Sequence, residues 1–194
     1  TQRLLNLLCV YDSIMSYNAH KIKIYKNLPE NSFLFLGDSF FTFWKTLNSD
    51  FRQYKINVVN GGFGGATTQN IIQNIKHFKR KNWKSIVINI GDNDYFINNN
   101  INGLSQNIEK IAKEFTCMVY ILILPVKPSY TNKYIDERVL EFEKLGNAKL
   151  SNVKICDLTH INIEKKDYFK DGIHIKKFKR QILAACIYKH LFSL

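Results

Sequence analysis

Four short segments of the 194-residue chain carry side chains that could do chemistry. Gly37-Asp38-Ser39 ends a β-rich run and leads into apolar Phe40-Phe41, so Ser39 falls at a strand-to-helix junction. A hydroxyl placed there meets the free N–H groups and positive dipole end of a helix, which favour developing negative charge. The same residues would also serve as a plain helix cap. Asn60-Gly61-Gly62-Phe63-Gly64-Gly65-Ala66-Thr67-Thr68 is a loop whose glycines permit close backbone approach and bare N–H groups, or simply a turn. It is not a dinucleotide fingerprint, because Thr67 stands where a third glycine would be needed, and no Gly-Lys-Ser/Thr ending marks a phosphate loop. In Gly91-Asp92-Asn93-Asp94 the Asn93 amide could donate to an oxyanion, although Gly, Asp and Asn also make ordinary turns. Asp171-Gly172-Ile173-His174 spaces a carboxylate three residues from an imidazole, and a turn would bring them into hydrogen-bond contact and set the tautomer.

The remaining histidines, His20, His77, His160 and His190, show no metal-ligand spacing. Cys9, Cys117, Cys156 and Cys186 are far apart and form no CxxC pair, which argues against a zinc site and a disulfide framework. They read as small buried hydrophobes.

These segments need elements to hold them. Five runs rich in β-branched and aromatic residues read as strands: Phe33 to Leu36, Ile56 to Asn60, Ser85 to Ile90, Cys117 to Leu124 and Val153 to Leu158. Helical spacing marks Phe40 to Tyr54, Thr68 to Lys79, Leu104 to Phe115, Tyr134 to Leu145 and Lys177 to Phe192, with an amphipathic Ile14 to Tyr25 ahead of the first strand. Continuous apolar strands alternating with helices imply an α/β protein with a mainly parallel sheet covered on both faces. Ligands bind such sheets outside the carboxyl ends of the strands, where three of the four segments fall, the Asp171 to His174 segment lying just before the last helix. The length suits one domain over 1–194, with 1–30 as a helical extension packed on it.

The formal charge of +12 admits an anionic membrane or glycan surface, a nucleic acid, or no partner. Its densest cluster, Lys76, Lys79, Arg80, Lys81 and Lys84, ends a helix, where cations suit the dipole. No zinc-finger spacing, recognition helix or RNP-like pattern accompanies it, so specific nucleic-acid binding is not expected. No apolar run reaches the roughly 18 residues needed to span a bilayer. The expectation is a soluble protein, monomeric or weakly oligomeric, and cytoplasmic unless a targeting segment is missing from a chain that begins without Met.

Taken together and in this order, the four segments resemble the SGNH (GDSL-like) hydrolase family. Ser39 matches its GDS block, Gly65 its glycine block with Gly64 as fallback, Asn93 its GxND block, and Asp171 with His174 its DxxH block, over Phe33 to His190. The resemblance implies a flavodoxin-like three-layer α/β/α sandwich with strand order 2-1-3-4-5. It further implies Ser39 as nucleophile, His174 as base, Asp171 orienting the imidazole, and an oxyanion hole from Ser39, Gly65 and Asn93, with neither metal nor cofactor. Phe40, Ala66 and Asp92 depart from the family pattern, Asp92 putting in question the charge around the oxyanion site. Asp38, Tyr95, Phe96, Tyr130 and Ile173 are expected to line the substrate cleft, while Phe40, Phe41, Phe43 and Trp44 read as core. The family offers an O-acetyl ester of a glycan first, with lysophospholipids and acyl thioesters as alternatives. Two readings compete with the enzyme so described. Asp92-Asn93-Asp94 is a DxD like that of magnesium-dependent haloacid-dehalogenase-type phosphatases, but a glycine separates it from its strand and the Ser, Gly and His segments would go unused. The other is a basic, non-catalytic module binding an acidic glycan or a membrane.

Overall fold

A computed structural model describes residues 31–79 and 82–192. The expected helix Ile14 to Tyr25, the extension over 1–30, Cys9, His20, Arg80 and Lys81 lie outside the described residues. The described chain runs β1 (Phe33–Gly37), α1 (Ser39–Phe43), α2 (Leu47–Arg52), β2 (Val58–Gly62), α3 (Thr68–Phe78), β3 (Ser85–Asn89), α4 (Asp92–Asn98), α5 (Leu104–Lys113), β4 (Met118–Ile123), α6 (Asn132–Asn147), β5 (Val153–Asp157), a 3-10 turn (Lys165–Asp167) and α7 (Lys177–Phe192).

All five strands are parallel, in the order β2-β1-β3-β4-β5. Successive strand side chains point to opposite faces, so each strand feeds two cores. Leu34, Leu36, Ile86, Ile88, Val119 and Ile121 pack under α3 to α6. Phe35, Val87, Tyr120, Leu122 and Cys156 pack under α1, α2 and α7 through residues such as Phe41, Trp44, Phe51, Leu183 and Ile187. The result is the three-layer sandwich expected from the alternation of elements. Residue Gly37 pairs with Gly62 on one side and Asn89 on the other, so the loops after β1, β2 and β3 leave the sheet at one level.

Two expected elements differ. The single helix expected over Phe40 to Tyr54 is two, because Asp50 folds back on the intervening turn and accepts hydrogen bonds from Trp44 Nε1 and Thr46 Oγ1, both at 2.7 Å. The segment after Gly91, read from the sequence as a turn and not as a helix, is helix α4, whose first turn carries Asp92 and Asp94, where carboxylates suit the dipole, and which ends on Asn99 in the left-handed region. Its Asn-rich composition hid it. No described helix is long and apolar enough to cross a membrane.

Candidate active site

Ser39 opens α1 immediately after β1. Asp38 caps this helix by accepting the Phe40 N–H at 2.9 Å. The helix can lie close on the sheet because Gly62 has no side chain: a Cβ there would come within 2.5 Å of the Thr42 nitrogen. The position of Ser39 is therefore decided by the two glycine-bearing strands beneath it.

His174 reaches Ser39 from the other end of the chain. The segment before α7 is a small hairpin in which Tyr168 bridges Ile175 and the Phe169 N–H donates to the His174 carbonyl at 2.8 Å. Within its turn, Asp171 Oδ1 accepts the N–H groups of Ile173 and His174 at 2.8 and 3.0 Å, while Oδ2 lies 2.7 Å from His174 Nδ1. His174 Nε2 lies 3.0 Å from Ser39 Oγ. In the tautomer protonated at Nδ1, the imidazole donates to Asp171 and accepts from the Ser39 hydroxyl. Burial alone would raise the Asp171 pKa. The hydrogen bonds from the His174 ring and from the two backbone N–H groups outweigh it and lower the pKa to about 2. The carboxylate is thus ionised wherever an imidazole could serve as a base.

The Asn93 and glycine segments meet as well. Asn93 Nδ2 donates to the Ala66 carbonyl at 2.9 Å. Asp94 accepts the Thr68 N–H at 3.1 Å and the Thr68 hydroxyl at 2.5 Å. Together they clamp the end of the glycine loop against the start of α4. Thr67 and Asn70 close a capping box on α3, which fixes where that loop stops. Gly65 sits at φ 75, a left-handed conformation that L side chains adopt only with strain. Among the described residues, the N–H groups of Ser39 and Gly65 have no hydrogen-bond acceptor. Two such donors and an asparagine amide at one rim are the equipment for holding an oxyanion.

The five residues singled out as chemical, Ser39 and Asn93 in the first turns of α1 and α4 and Gly65, Asp171 and His174 on loops, lie at one end of the sheet, with Ser39, His174 and Asp171 in direct sequence of contact. The expected cleft residues divide. Phe96 is exposed, and Tyr130 and Ile173 are half-buried. Asp38 is a correction: at 2% exposure it lies beneath the site, turned inward by its bond to the Phe40 N–H. Tyr95 is another, for its ring is buried against Tyr134 and its hydroxyl lies 3.2 Å from the Thr131 hydroxyl. Phe43, expected in the core with Phe40, Phe41 and Trp44, is instead 47% exposed and packs on the His174 ring. Helix α1 is only five residues long, so its last side chain projects past the core it helps to cover.

Two contributors were not anticipated. Arg180, buried in α7, donates from Nε to the Ile175 carbonyl at 2.8 Å and from its guanidinium to the Phe43 carbonyl, joining the histidine hairpin to the serine helix. Lys127, buried in the loop after β4, pairs with Asp92. Neither had a sequence signal, since a lone basic residue on a helix or between two prolines reads as solvated surface. An apolar groove of about 690 Å³ runs between α6 and β5, but neither Ser39, Asn93 nor His174 lines it.

A parallel sheet in this strand order, with Ser39, His174 and Asp171 in contact beyond its carboxyl ends, defines an α/β protein whose candidate site lies where such sheets bind their ligands. The family model for GDSL-like lipase/acylhydrolase matches residues 33–187, and the chain belongs to that family of ester hydrolases. No curated protein sequence matches it significantly. Among solved structures, it is similar to a Streptococcus pneumonia protein named for platelet activating factor, with 22% identity over 98% of this chain and 97% of the other and a TM-score of 0.79. A family 3 carbohydrate esterase from Clostridium thermocellum is 20% identical over 83% and 94% of the two chains, with a TM-score of 0.68. Esterase EstA from a Pseudoalteromonas species is 15% identical over 84% and 98%, with a TM-score of 0.69. At these identities the three share the fold.

Proposed function

We propose that the chain is a serine esterase in which Ser39 attacks the ester carbonyl, with His174 as general base and Asp171 as its orienting carboxylate. The observation that carries this is the continuous contact Asp171 Oδ2 to His174 Nδ1 at 2.7 Å and His174 Nε2 to Ser39 Oγ at 3.0 Å. As the Oγ–C bond forms, the Ser39 proton passes to Nε2, and the imidazolium is stabilised by Asp171. The tetrahedral oxyanion takes hydrogen bonds from the Ser39 and Gly65 N–H groups and from Asn93 Nδ2. Collapse breaks the bond to the alcohol oxygen, which leaves with the proton from Nε2. A water deprotonated by His174 then attacks the acyl-enzyme and releases the carboxylic acid.

The preferred substrate is an ester of a small acyl group, an O-acetyl group on a glycan. The half-buried Ser39 at the strand-end rim, away from the apolar groove between α6 and β5, supports a short acyl group, and the fold shared with a carbohydrate esterase supports a sugar alcohol. The half-exposed Phe43 against His174 favours a second reading, a lysophospholipid or acyl thioester whose chain lies on that ring. Labelling by a fluorophosphonate, with Ser39→Ala as control, tests the mechanism. Loss of the label and of aryl acetate hydrolysis in the variant is expected, and a Ser39→Ala enzyme of full activity would refute the assignment. Relative kcat/KM on acetylated sugars, lysophospholipid and acyl-CoA decides between the substrates.

A further inference from the structure

One residue behind the reacting groups lies a second row of side chains. Asp38 precedes Ser39 after β1, Asp92 precedes Asn93 after β3, and Lys127 follows β4, three strands that are neighbours in the sheet. The side chains of Lys127 and Asp92 are 4% and 15% exposed and form an ion pair. The second Asp92 oxygen accepts the Tyr134 hydroxyl at 2.6 Å. Burial opposes ionisation of Asp92, but Lys127 and then Arg138 outweigh it and hold its carboxyl below the usual range. At Asp38, burial and next the charge of Asp92 raise the pKa to about 7, against the pull of Lys127. The charged and titratable groups around the pair are Asp38 beside α1, Asp94 on α4, Tyr130 beside Lys127, Tyr134 and Arg138 on α6, and Tyr168 before α7.

The mechanism above makes no use of Lys127, yet it needs something to offset Asp92. An unpaired carboxylate one residue from an oxyanion donor would oppose the negative charge that develops at the donor, and the opposition is strong where water is excluded. Lys127 is the cation in direct contact with that carboxylate. We infer that Lys127 is a positioning residue for ester hydrolysis, its ammonium neutralising Asp92 and holding the Asp92–Asn93 corner so that the Asn93 amide can serve the oxyanion. The inference rests on Ser39 and Asn93 acting as proposed. It also accounts for a carboxylate at a position where the family pattern carries none: the charge comes with its counter-ion from the loop after the next strand.

The experiment compares the full-length wild type, Ser39→Ala, Lys127→Met and the double variant Asp92→Asn with Lys127→Met. Steady-state kcat and KM for an aryl acetate are measured from about pH 5 to about pH 9. Lys127→Met is expected to lower kcat about tenfold or more near pH 8 with KM little changed, short of the hundredfold or greater loss typical of deleting an oxyanion donor. The deficit should deepen as pH rises, because Asp92 without its cation takes up a proton more readily and its ionisation moves into the measured range. The double variant, with the Asp92 and Lys127 charges removed together, should recover most of kcat and lose the added alkaline fall. A merely structural lysine would give a deficit indifferent to pH and not rescued by the second substitution, and that result would overturn the inference, as would an unchanged Lys127→Met. Should Lys127→Met fail to fold, the double variant decides: near wild-type kcat supports the inference, and a kcat as low as that expected of Lys127→Met rejects it. An inactive Ser39→Ala beside an unaffected Lys127→Met removes only the role of Lys127. An active Ser39→Ala removes the reading of the whole site.

Discussion

The Phe43 ring meets the His174 imidazole edge-on, 4.5 Å between centroids at an interplanar angle of 72°. The same residue gives its carbonyl to Arg180, which also holds the Ile175 carbonyl one residue beyond His174. The end of the serine helix and the histidine hairpin are thus tied twice, once through a ring and once through a guanidinium. Phe43→Ala should lower kcat by up to about tenfold, the equivalent of an aromatic contact of about 0.5–1.5 kcal/mol. Thermal stability should change little, since the ring is half in solvent. Parallel kinetics and melting curves check this, and an unchanged kcat would show that the imidazole does not lean on the ring.

Arg180→Met removes both carbonyl contacts from a buried position and leaves two acceptors to water or to nothing. The expected result is a loss of stability of about 1–3 kcal/mol together with a lower kcat. Urea unfolding measures the first and aryl ester turnover the second. Loss of stability with full turnover would mean that the tie is not needed to keep serine and imidazole in register.

Asp171→Asn keeps the shape of the turn but removes the charge that supports an imidazolium. A fall in kcat of about 10³–10⁴-fold is expected near neutral pH, by analogy with the loss of the orienting carboxylate in serine proteases. Circular dichroism of the variant should match the wild type. The carboxyl has a lowered pKa of about 2, so its contribution to stability is complete above its ordinary 3.8 and disappears as pH falls through about 2. Near neutral pH the variant should therefore be deficient at every value tested, not only in acid.

Adjacent glycines in the β2 loop should answer differently to alanine. A Cβ at Gly64 would meet nothing within 4 Å, so Gly64→Ala should leave both stability and kcat close to wild type. Gly65 sits at φ 75. Alanine there costs about 1–2 kcal/mol or turns the peptide, and either way disturbs the donor proposed for the oxyanion. A drop in kcat at Gly65 and none at Gly64 would select Gly65 as the glycine-block donor, and the reverse pattern would select Gly64.

Asp38 is the buried acid with the most visible pH signature. Its pKa is raised from an ordinary 3.8 to about 7, chiefly by burial. A raised folded-state pKa means stability that is complete below about 3.8 and lost as pH climbs through about 7. Asp38→Asn keeps an oxygen for the Phe40 N–H but carries no proton to lose. Its melting temperature should therefore exceed that of the wild type by more at pH 8 than at pH 5. Equal differences at the two values would show that Asp38 does not titrate between them.

Much of this was visible in the residues alone. Alternating apolar runs and helical spacing located the five strands, and their continuous apolarity implied parallel pairing with two covered faces. The resemblance supplied the order of the strands. The segments holding Ser39, Asn93, Asp171 and His174 and the glycine loop could be marked because each is a short-range pattern of Gly, Asp or Asn next to an element boundary, while their order together, and Gly65 within its loop, were picked out by the resemblance. The split of α1 from α2 and the formation of α4 were not visible, because one is decided by a single buried carboxylate and the other by a dipole acting on residues that equally suit turns.

What the chain settles by itself is therefore the local content of each strand end: a hydroxyl, a glycine, an amide, a carboxylate three residues from an imidazole. Whether Nε2 meets Oγ across a sequence separation of 135 was decided only by the folded sheet, as were the inward turn of Asp38, the outward reach of Phe43 and the pairing of Lys127 with Asp92. Local patterns follow from backbone preferences within a few residues, whereas charge pairing and side-chain exposure depend on which distant strand packs alongside. A carboxylate at Asp92 looks like a defect in one dimension; the loop after the neighbouring strand, a pairing that no local rule specifies, supplies the ammonium beside it.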